Sequence, residues 1–278
     1  MALSCNAAER YDLIMKKETL DHLRQCQIKM LDELDRICKA HQLRYYLMYG
    51  TLIGAVRHQG YIPWDDDIDV VMPKKDYKEF LRIAAKELPA QYFLQTPETD
   101  KYHARFFAKI RMNNTAFVSK EDQNSKKHHG IFIDILPLYY TNRNLSRSAV
   151  LRRKIASAFD GSIILRRENK TSTQFRYLFL HLLPTSLLVK LREKLYDCKG
   201  DCYTCFGYLH EISDFDPPKE LLFEGKKYPV PGNYDKVLRE IYGDYMQLPP
   251  PDKRVTHNPA RISFDLNGPD EDLTEQAL

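Results

Sequence analysis

The sequence is poor in cysteine and tryptophan, and it contains no long hydrophobic run. Its 278 residues include six cysteines and one tryptophan, too little cysteine for a disulfide-stapled secreted scaffold of this length. The most apolar stretch, residues 178–191, is interrupted by a His, a Pro and a Lys, whereas a membrane-spanning helix needs about 20 largely apolar residues. These absences exclude a disulfide framework and an integral membrane protein.

The sequence also has no large excess of positive or negative charge. Lys and Arg number 42 against 38 Asp and Glu, so the overall charge does not indicate a nucleic acid partner. The N-terminal segment MALSCNAAERYDLI has no basic region followed by an apolar one, and we therefore predict no signal peptide and a cytoplasmic location. The composition, 43% hydrophobic and 29% charged, is typical of a soluble globular protein.

Hydrophobic periodicity predicts an α+β fold, in which a mixed sheet is flanked by helices. Helical spacing runs from about Glu9 to Ala40 and again over residues 74–88. Short runs with strand character lie at residues 44–50, 67–72, 105–112 and 131–138. We predict three parts along the chain: a catalytic core with its N-terminal helix (residues 1–142), a basic helical insertion (143–225) and a C-terminal strand, helix and tail that pack back on the core (226–278).

Positive charge is concentrated in the helical insertion. Between Arg143 and Lys199 there are 13 Lys or Arg and four Asp or Glu. This segment is either a solvated helical face or a surface that docks on anionic lipid. We favour an ordinary helical layer, with weak peripheral contact at the inner face of a membrane.

The segment WDDDID holds four aspartates in five positions. Asp67 and Asp69 alternate along a predicted strand, so their side chains project from one face about 7 Å apart, which suits oxygen ligation of Mg²⁺. A third carboxylate, Asp134, lies between Ile133 and Ile135 in an apolar strand, where it is costly unless it meets a cation or donors. A solvated acidic turn is the alternative interpretation. Without a cation, the three carboxylates should repel, so loss of Asp134 is expected to stabilise the fold.

Gly50 and Thr51 form a second motif, upstream of the aspartates. A strand that ends in Gly, followed by Thr at a helix N-terminus, offers backbone N–H groups and a hydroxyl to a phosphate. An ordinary strand-to-helix turn capped by Thr51 is the alternative. The motif becomes more specific because Asp-x-Asp follows 16 residues later.

Four further side chains are candidates to contact a ligand near the aspartates. Arg57, Lys109 and Arg111 are candidates to neutralise a phosphate leaving group, although each is equally explained as a solvated surface residue. Aromatic faces bind quaternary ammonium groups, and Trp64 adjoins the aspartates. Alternatively, Trp64 is a packing residue that anchors its loop.

Three segments together closely resemble the LicD family, which includes bacterial phosphocholine transferases and fukutin-type sugar-phosphate transferases. They are YGTLIGAVRHQGYIPWDDDIDVVMPKKDY (residues 49–77), GIFIDILPL (130–138) and VPGNYDKVLREIYGDYMQLPPPDKRVTH (230–257). The resemblance spans about residues 18–257 and is weak only in the basic insertion. It implies a nucleotidyltransferase-like core, and transfer of phosphocholine or a similar phospho-alcohol from CDP-choline to a sugar hydroxyl of a teichoic acid, lipopolysaccharide or other cell-surface glycan, with release of CMP.

The resemblance also implies roles for individual residues. Asp67 and Asp69 become the ligand pair for Mg²⁺ or Mn²⁺, with two ions expected, and Asp134 becomes the third ligand and a candidate general base. Gly50 and Thr51 would hold phosphate. His257 ends the last matching segment, which gives it a role in binding donor phosphate or in shaping the site.

Two other functions fit the same residues. One is a nucleotidyltransferase that adds NMP to a small-molecule hydroxyl. The other is a non-catalytic binding protein on the same fold, against which the buried carboxylates argue, because unused buried charges would destabilise the protein. The spacing of Cys198, Cys202, Cys205 and His210 is compatible with structural Zn²⁺. We expect these cysteines to be reduced, buried thiols that bind no zinc.

Overall fold

The computed structural model describes residues 11–144, 146–167, 180–196, 199–250, 253–254, 256–257, 259–271 and 273–277. Its helices are α1 (Lys17–Ala40), α2 (Tyr49–Arg57), α3 (Lys74–Glu87), α4 (Arg147–Arg167), α5 (Thr185–Tyr196) and α6 (Tyr234–Tyr242). Its strands are β1 (Tyr11–Met15), β2 (Tyr46–Leu47), β3 (Asp69–Pro73), β4 (Tyr92–Gln95), β5 (Ala108–Met112), β6 (Ala116–Ser119), β7 (Phe132–Thr141), β8 (Cys202–Cys205), β9 (Tyr208–Glu211), β10 (Lys219–Phe223), β11 (Lys226–Val230), β12 (Pro259–Ser263) and β13 (Leu273–Ala277).

A mixed sheet organises the molecule. Its strand order is β2-β3-β7-β5-β4, and the long strand β7 also pairs with β8, which pairs with β9. Strands β3 and β7 are parallel, whereas the other neighbours in this sheet are antiparallel. The predicted α+β fold is confirmed.

Helices α1 and α3 pack against strands β3, β5 and β7. Leu23 and Leu34 of α1 are fully buried, as are Ile133 and Ile135 of β7, and burying each such side chain contributes about 1.5–3 kcal/mol. Because side chains alternate along a strand, Asp134 projects from the opposite face to its isoleucine neighbours. One face of the sheet therefore makes the core, and the other is left for polar residues.

Three boundaries differ from the expectation. The strand predicted at residues 44–50 is only Tyr46–Leu47, and α2 begins at Tyr49, so Gly50 and Thr51 lie in the first turn of that helix and not at the end of a strand. The N-terminal helix begins at Lys17 rather than near Glu9, because Tyr11–Met15 form β1, which pairs with β13 near the other end of the chain. Strand β3 begins at Asp69 rather than at Asp67, so Asp67 lies in the preceding loop. Local periodicity does not reveal a strand whose partner is so distant in sequence, and the aspartate loop is shaped by tertiary contacts described below.

The middle part of the chain combines helices and strands. Helices α4 and α5 pack together, with Arg192 of α5 bonded to Asp160 of α4 at 2.5 Å. Strands β8 to β10 follow within the same part, and β8 extends the core sheet. The predicted division at residues 143 and 225 stays a prediction. Among the described helices, none has both the length and the hydrophobicity needed to cross a lipid bilayer.

The cysteine cluster is only partly described. Cys198 lies outside the described residues, and Cys202 and Cys205 are free, buried thiols. The Nδ1 atom of His210 is 2.7 Å from a carboxylate oxygen of Glu240. The absence of structural zinc stays a prediction.

Candidate active site

A row of polar side chains crosses four neighbouring strands. The strand register places Asp69 of β3 opposite Asp134 of β7, Asp134 opposite Lys109 of β5, and Lys109 opposite Gln95 of β4. Neighbouring strands lie about 4.8 Å apart, and residues directly opposite one another project from the same face. Two of the three predicted carboxylates and one predicted cation are therefore adjacent.

Lys109 and Asp134 form a buried ion pair at the centre of this row. The ammonium nitrogen of Lys109 lies 2.5 Å from Oδ1 of Asp134, and both side chains are 11% exposed. The ammonium also lies over the ring of Phe132, 3.5 Å from its centroid, which is a favourable cation–π contact. Burial lowers the pKa of Lys109 to about 8, although the charge of Asp134 opposes this shift. Asp134 thus has a cationic partner within the chain.

The loop that carries Asp65, Asp66 and Asp67 is held by helix α1. Arg24 donates from Nη2 to the carbonyl oxygens of Ile62 and Asp65, both at 2.8 Å. Gln27 donates from Nε2 to the carbonyl oxygen of Asp66 at 2.8 Å. Arg24 and Gln27 were not among the residues predicted from the sequence, although two polar residues at i, i+3 beside an apolar helical stripe are a usable signal.

Gly50 allows the aspartate loop to approach helix α2 closely. A Cβ atom at position 50 would lie 2.7 Å from Oδ2 of Asp65, so any larger residue would displace that carboxylate. The Oδ2 atom is buried and has no hydrogen-bond partner in the described part of the chain. A buried carboxylate oxygen without a donor is costly, and it marks a position where a cation would be stabilised.

The hydroxyl of Thr51 positions the strand aspartate. Its Oγ1 atom accepts a hydrogen bond from the backbone N–H of Asp69 at 2.9 Å, and the residue is 2% exposed. Thr51 therefore fixes the start of β3. Its predicted contact with phosphate, and that of Gly50, stay predictions.

The aspartates perturb one another strongly. Burial and then the charge of Asp67 raise the pKa of Asp65 to about 8, and burial raises the pKa of Asp67 to about 6. Burial, with the charges of Asp67 and Asp134, raises the pKa of Asp69 well above its usual value. Without a cation the cluster is therefore partly protonated near neutral pH. A divalent cation would take the place of those protons.

His257 reaches the site from the C-terminal part of the chain. Its backbone N–H and its Nδ1 lie 3.0 and 2.8 Å from the Asp66 carboxylate, and its Nε2 is 3.6 Å from Oδ2 of Asp67. Burial alone would lower the pKa of His257, but the bond to Asp66 and the charge of Asp67 raise it to about 9. Asp66, to which sequence analysis gave no role, anchors the C-terminal segment to the aspartate loop.

The carboxylates fit a hard divalent cation. Carboxylate oxygens are the protein ligands that Mg²⁺ uses, and the unpartnered oxygen of Asp65 lies beside them. In the described part of the chain, the ligand atoms of Asp66, Asp67 and His257 all lie within 4.8 Å of one another. The predicted ligand set of Asp67, Asp69 and Asp134 stays a prediction, with Asp65 as a further carboxylate at the same place.

Two of the predicted arginines bind the protein's own backbone. Arg57, at the end of α2, donates to the carbonyl oxygen of Tyr245 at 2.7 Å. Arg111 donates to Oε1 of Gln95 and to the carbonyl oxygen of Gly130, both at 2.5 Å. Both guanidinium groups therefore have structural partners, and their contact with substrate stays a prediction.

Trp64 lies beside the aspartate loop, where it was expected. The guanidinium carbon of Arg254 is 4.3 Å from the centroid of its ring. A cation of the protein thus occupies one face of the indole, which fits the alternative role of Trp64 as a packing residue.

Comparison with known proteins identifies the fold that carries this site. Residues 42–169 match the family model described as LicD/FKTN/FKRP, nucleotidyltransferase domain. These residues carry a LicD-family nucleotidyltransferase domain. The Haemophilus influenzae protein named lipopolysaccharide cholinephosphotransferase LicD is 28% identical over 88% of this chain and 97% of its own length. Uncharacterized proteins of Rickettsia typhi and Rickettsia prowazekii are 36% and 38% identical over 20% and 17% of this chain, and over 18% of their own length in each case.

The domain match and the Haemophilus influenzae relative support a LicD-type phosphotransferase, and the matched domain includes the residues of the polar row. The matched domain contains Asp67, Asp69, Lys109 and Asp134, whereas His257 lies beyond it. His257 is nevertheless part of the site through its bonds to Asp66. The LicD-family core is thus completed by the C-terminal part of the chain.

Sequence analysis did not identify an aromatic cluster beside the LicD-family site. Phe206, in the turn between β8 and β9, is 65% exposed. Its ring centroid lies 5.8 Å from that of Tyr49 and 6.2 Å from that of Phe107. Burial raises the pKa of the Tyr242 hydroxyl, and the nearby negative charge of Asp69 raises it further. No local sequence pattern marks Phe206, because its aromatic neighbours Tyr49 and Phe107 come from two other segments.

A large cleft opens beside the carboxylates of the LicD-family site. Its volume is about 1690 Å³. Asp134, Lys109, His257 and Phe206 line the part next to the polar row, and residues 97–107, residues 122–127 and helices α4 and α5 contribute the rest of the wall. The site therefore has an open approach large enough for an extended substrate.

Proposed function

We propose that the protein transfers phosphocholine from CDP-choline to a hydroxyl of a cell-surface glycan, with release of CMP and with Mg²⁺ or Mn²⁺ as the cofactor. The observation that carries this proposal is the adjacency of Asp69, Asp134 and Lys109 on one sheet face. The name of the Haemophilus influenzae relative supports phosphocholine as the transferred group and lipopolysaccharide as the acceptor class. A teichoic acid is the alternative acceptor within the same class.

The residues divide the chemistry between donor and acceptor. Asp65, Asp67, Asp69 and Asp134 would hold the cation, which when bound supplies charge neutralisation for the diphosphate and acidifies the acceptor hydroxyl. The ammonium of Lys109 adds a positive charge beside these carboxylates, where the leaving CMP phosphate develops negative charge. Asp134 is also the candidate acceptor for the hydroxyl proton.

The reaction exchanges one phosphorus–oxygen bond for another. The acceptor oxygen bonds to the phosphorus of phosphocholine while the bond from that phosphorus to the bridging oxygen breaks. CMP leaves with that oxygen, and the hydroxyl proton passes to a base of the site. A nucleotidyltransferase would instead attach the CMP half and release phosphocholine, so the two functions differ in the product set free.

Incubation with CDP-choline, a glycan acceptor and Mg²⁺ or Mn²⁺ is expected to release CMP and to label the acceptor with phosphocholine. The carboxylates need the cation to offset their mutual repulsion and to bind the diphosphate, so EDTA should reduce CMP release to background. Chromatography of the nucleotide products is the measurement. Free phosphocholine with a CMP-labelled acceptor would assign the nucleotidyltransferase function instead.

The aromatic cluster is the candidate binding site for the choline group. Phe206→Ala is expected to raise the KM for CDP-choline about threefold to tenfold, because a cation–π contact is worth about 0.5–2 kcal/mol. The KM for CDP-glycerol, which has no cation, should change much less, and Phe206→Tyr should preserve the wild-type value for both. An equal rise for the two donors in steady-state assays would show that Phe206 only maintains the shape of the site.

Cytoplasmic location and weak peripheral contact with the inner face of a membrane remain part of this proposal. Leu151 of α4 and Leu182, before α5, are 59% and 82% exposed, and exposed apolar residues in a basic helical segment support contact with anionic lipid. A glycolipid acceptor would itself hold the enzyme near such a surface.

A further inference from the structure

The wall of the cleft is strongly basic beyond the carboxylates. In its described lining, nine Lys or Arg residues face three Asp or Glu residues. Five of the nine have partners within the protein: Lys109 and Lys127 form ion pairs, and Arg111, Arg166 and Arg167 donate to backbone carbonyl oxygens. These five are accounted for by the fold.

The other four cations, Lys101, Arg105, Lys126 and Lys190, are named here the basic wall. All four are exposed, and within the described residues none has an ion-pair partner. They come from three separate segments: the connection between β4 and β5, the residues before β7, and helix α5. Glu98 is the exposed carboxylate beside them, so the basic wall keeps a clear excess of positive charge.

The size of the cleft allows two substrates to bind at once. Pockets for single small ligands occupy about 300–1,000 Å³, and this cleft has about 1690 Å³. The diphosphate of the donor is assigned to the carboxylates and their cation, so the basic wall is not needed for it. The remaining space is where the acceptor lies, and a neutral sugar would gain little from the four cations of the basic wall.

We infer that the basic wall is a subsite for the acceptor, at which Lys101, Arg105, Lys126 and Lys190 bind phosphate or carboxylate groups of the glycan away from the reacting hydroxyl. This inference rests on the proposed transferase function. The reacting hydroxyl lies at the Asp134 end of the cleft, while anionic groups elsewhere on the glycan contact Lys101, Arg105, Lys126 and Lys190. Cations gathered along one cleft also raise the local concentration of an anionic substrate.

The test compares a phosphate-bearing oligosaccharide with the same oligosaccharide after phosphatase treatment. The quadruple variant Lys101→Gln, Arg105→Gln, Lys126→Gln, Lys190→Gln is expected to raise the KM for the phosphorylated acceptor at least about fourfold, the sum of four weak exposed contacts. The KM for the dephosphorylated acceptor should change far less, and so should the KM for CDP-choline. Wild-type KM for the phosphorylated acceptor should rise with salt, and this dependence should weaken in the variant.

A matched control removes the same number of charges elsewhere on the surface. Lys29, Lys75, Lys86 and Lys227 are exposed and do not line the cleft, so their joint replacement by Gln should leave both acceptor KM values at wild type. Equal effects of the two quadruple variants would show a general charge effect and overturn the inference. A selective rise in the KM for CDP-choline would assign the basic wall to the donor, and would overturn it as well.

Equilibrium binding separates this inference from the proposed function. Calorimetric titration with the phosphorylated oligosaccharide requires no donor and no turnover, and it should show binding that the dephosphorylated form and the cleft variant lack. Such binding without any CMP release would refute the transferase proposal while supporting an anionic glycan site. CMP release without preference for the phosphorylated acceptor would refute the basic wall alone.

Discussion

Replacement of Asp67 or Asp69 by Asn is expected to lower the turnover number for CMP release by about a thousandfold or more. The amide keeps the volume of the side chain but removes the charge that holds the cation. Loss of the cation removes several kcal/mol of transition-state stabilisation, and each 1.4 kcal/mol is a factor of ten in rate. Steady-state assays at limiting Mg²⁺ measure this effect.

The folded state should survive both substitutions. Burial and neighbouring charge already raise the pKa of both carboxyls, so a neutral amide relieves repulsion in metal-free protein. Circular dichroism and thermal unfolding should therefore match wild type or show a gain in stability. Asp21→Asn, at an exposed position of α1, is the matched control and should retain full turnover. More than about a tenth of wild-type turnover in either site variant would rule out its assignment as a ligand.

The second large effect is on stability. Asp134→Ala is expected to reduce the free energy of unfolding in metal-free buffer by about 3 kcal/mol, because it leaves the buried ammonium of Lys109 without its carboxylate. This reverses the expectation from sequence, in which loss of Asp134 relieved carboxylate repulsion. The reason is the 2.5 Å contact between Lys109 and Asp134, which outweighs repulsion from the neighbouring aspartates. Urea unfolding at neutral pH with EDTA is the measurement.

A double variant tests whether the pair itself causes the loss. Asp134→Leu combined with Lys109→Met replaces both buried charges with apolar groups of similar length, and such replacements are often neutral or stabilising. The double variant should therefore recover most of the stability that Asp134→Ala loses, although it should be inactive. If Asp134→Ala alone proves as stable as wild type, the ion pair does not contribute to the fold.

The direction of the Asp134 side chain in the candidate site could be predicted because its signal is local. Because side chains alternate along a strand, Asp134 projects from the opposite face of the sheet to Ile133 and Ile135, independently of the rest of the chain. The same reasoning located α3, β5 and β7 closely. It failed at Asp67, which lies before β3 because Arg24 and Gln27 of α1 hold residues 62–66 as a loop.

Partners that are distant in sequence could not be predicted. Lys109 was a candidate for binding a leaving group, and only the β5–β7 register shows that it neutralises Asp134. His257 and Asp66 are 191 residues apart, and Phe206 meets Tyr49 and Phe107 from a turn without any distinguishing motif. Each of these contacts depends on which strands and segments become neighbours, a choice that periodicity leaves open.

The sequence alone thus determined that Asp69 and Asp134 would project from a polar sheet face, because side-chain alternation along a strand is a property of a few consecutive residues. The tertiary structure decided which cation each carboxylate meets. It brought His257 to the aspartate loop and gathered Lys101, Arg105, Lys126 and Lys190 along one cleft. Those outcomes follow from packing and strand register, which bring together residues that lie far apart in the chain.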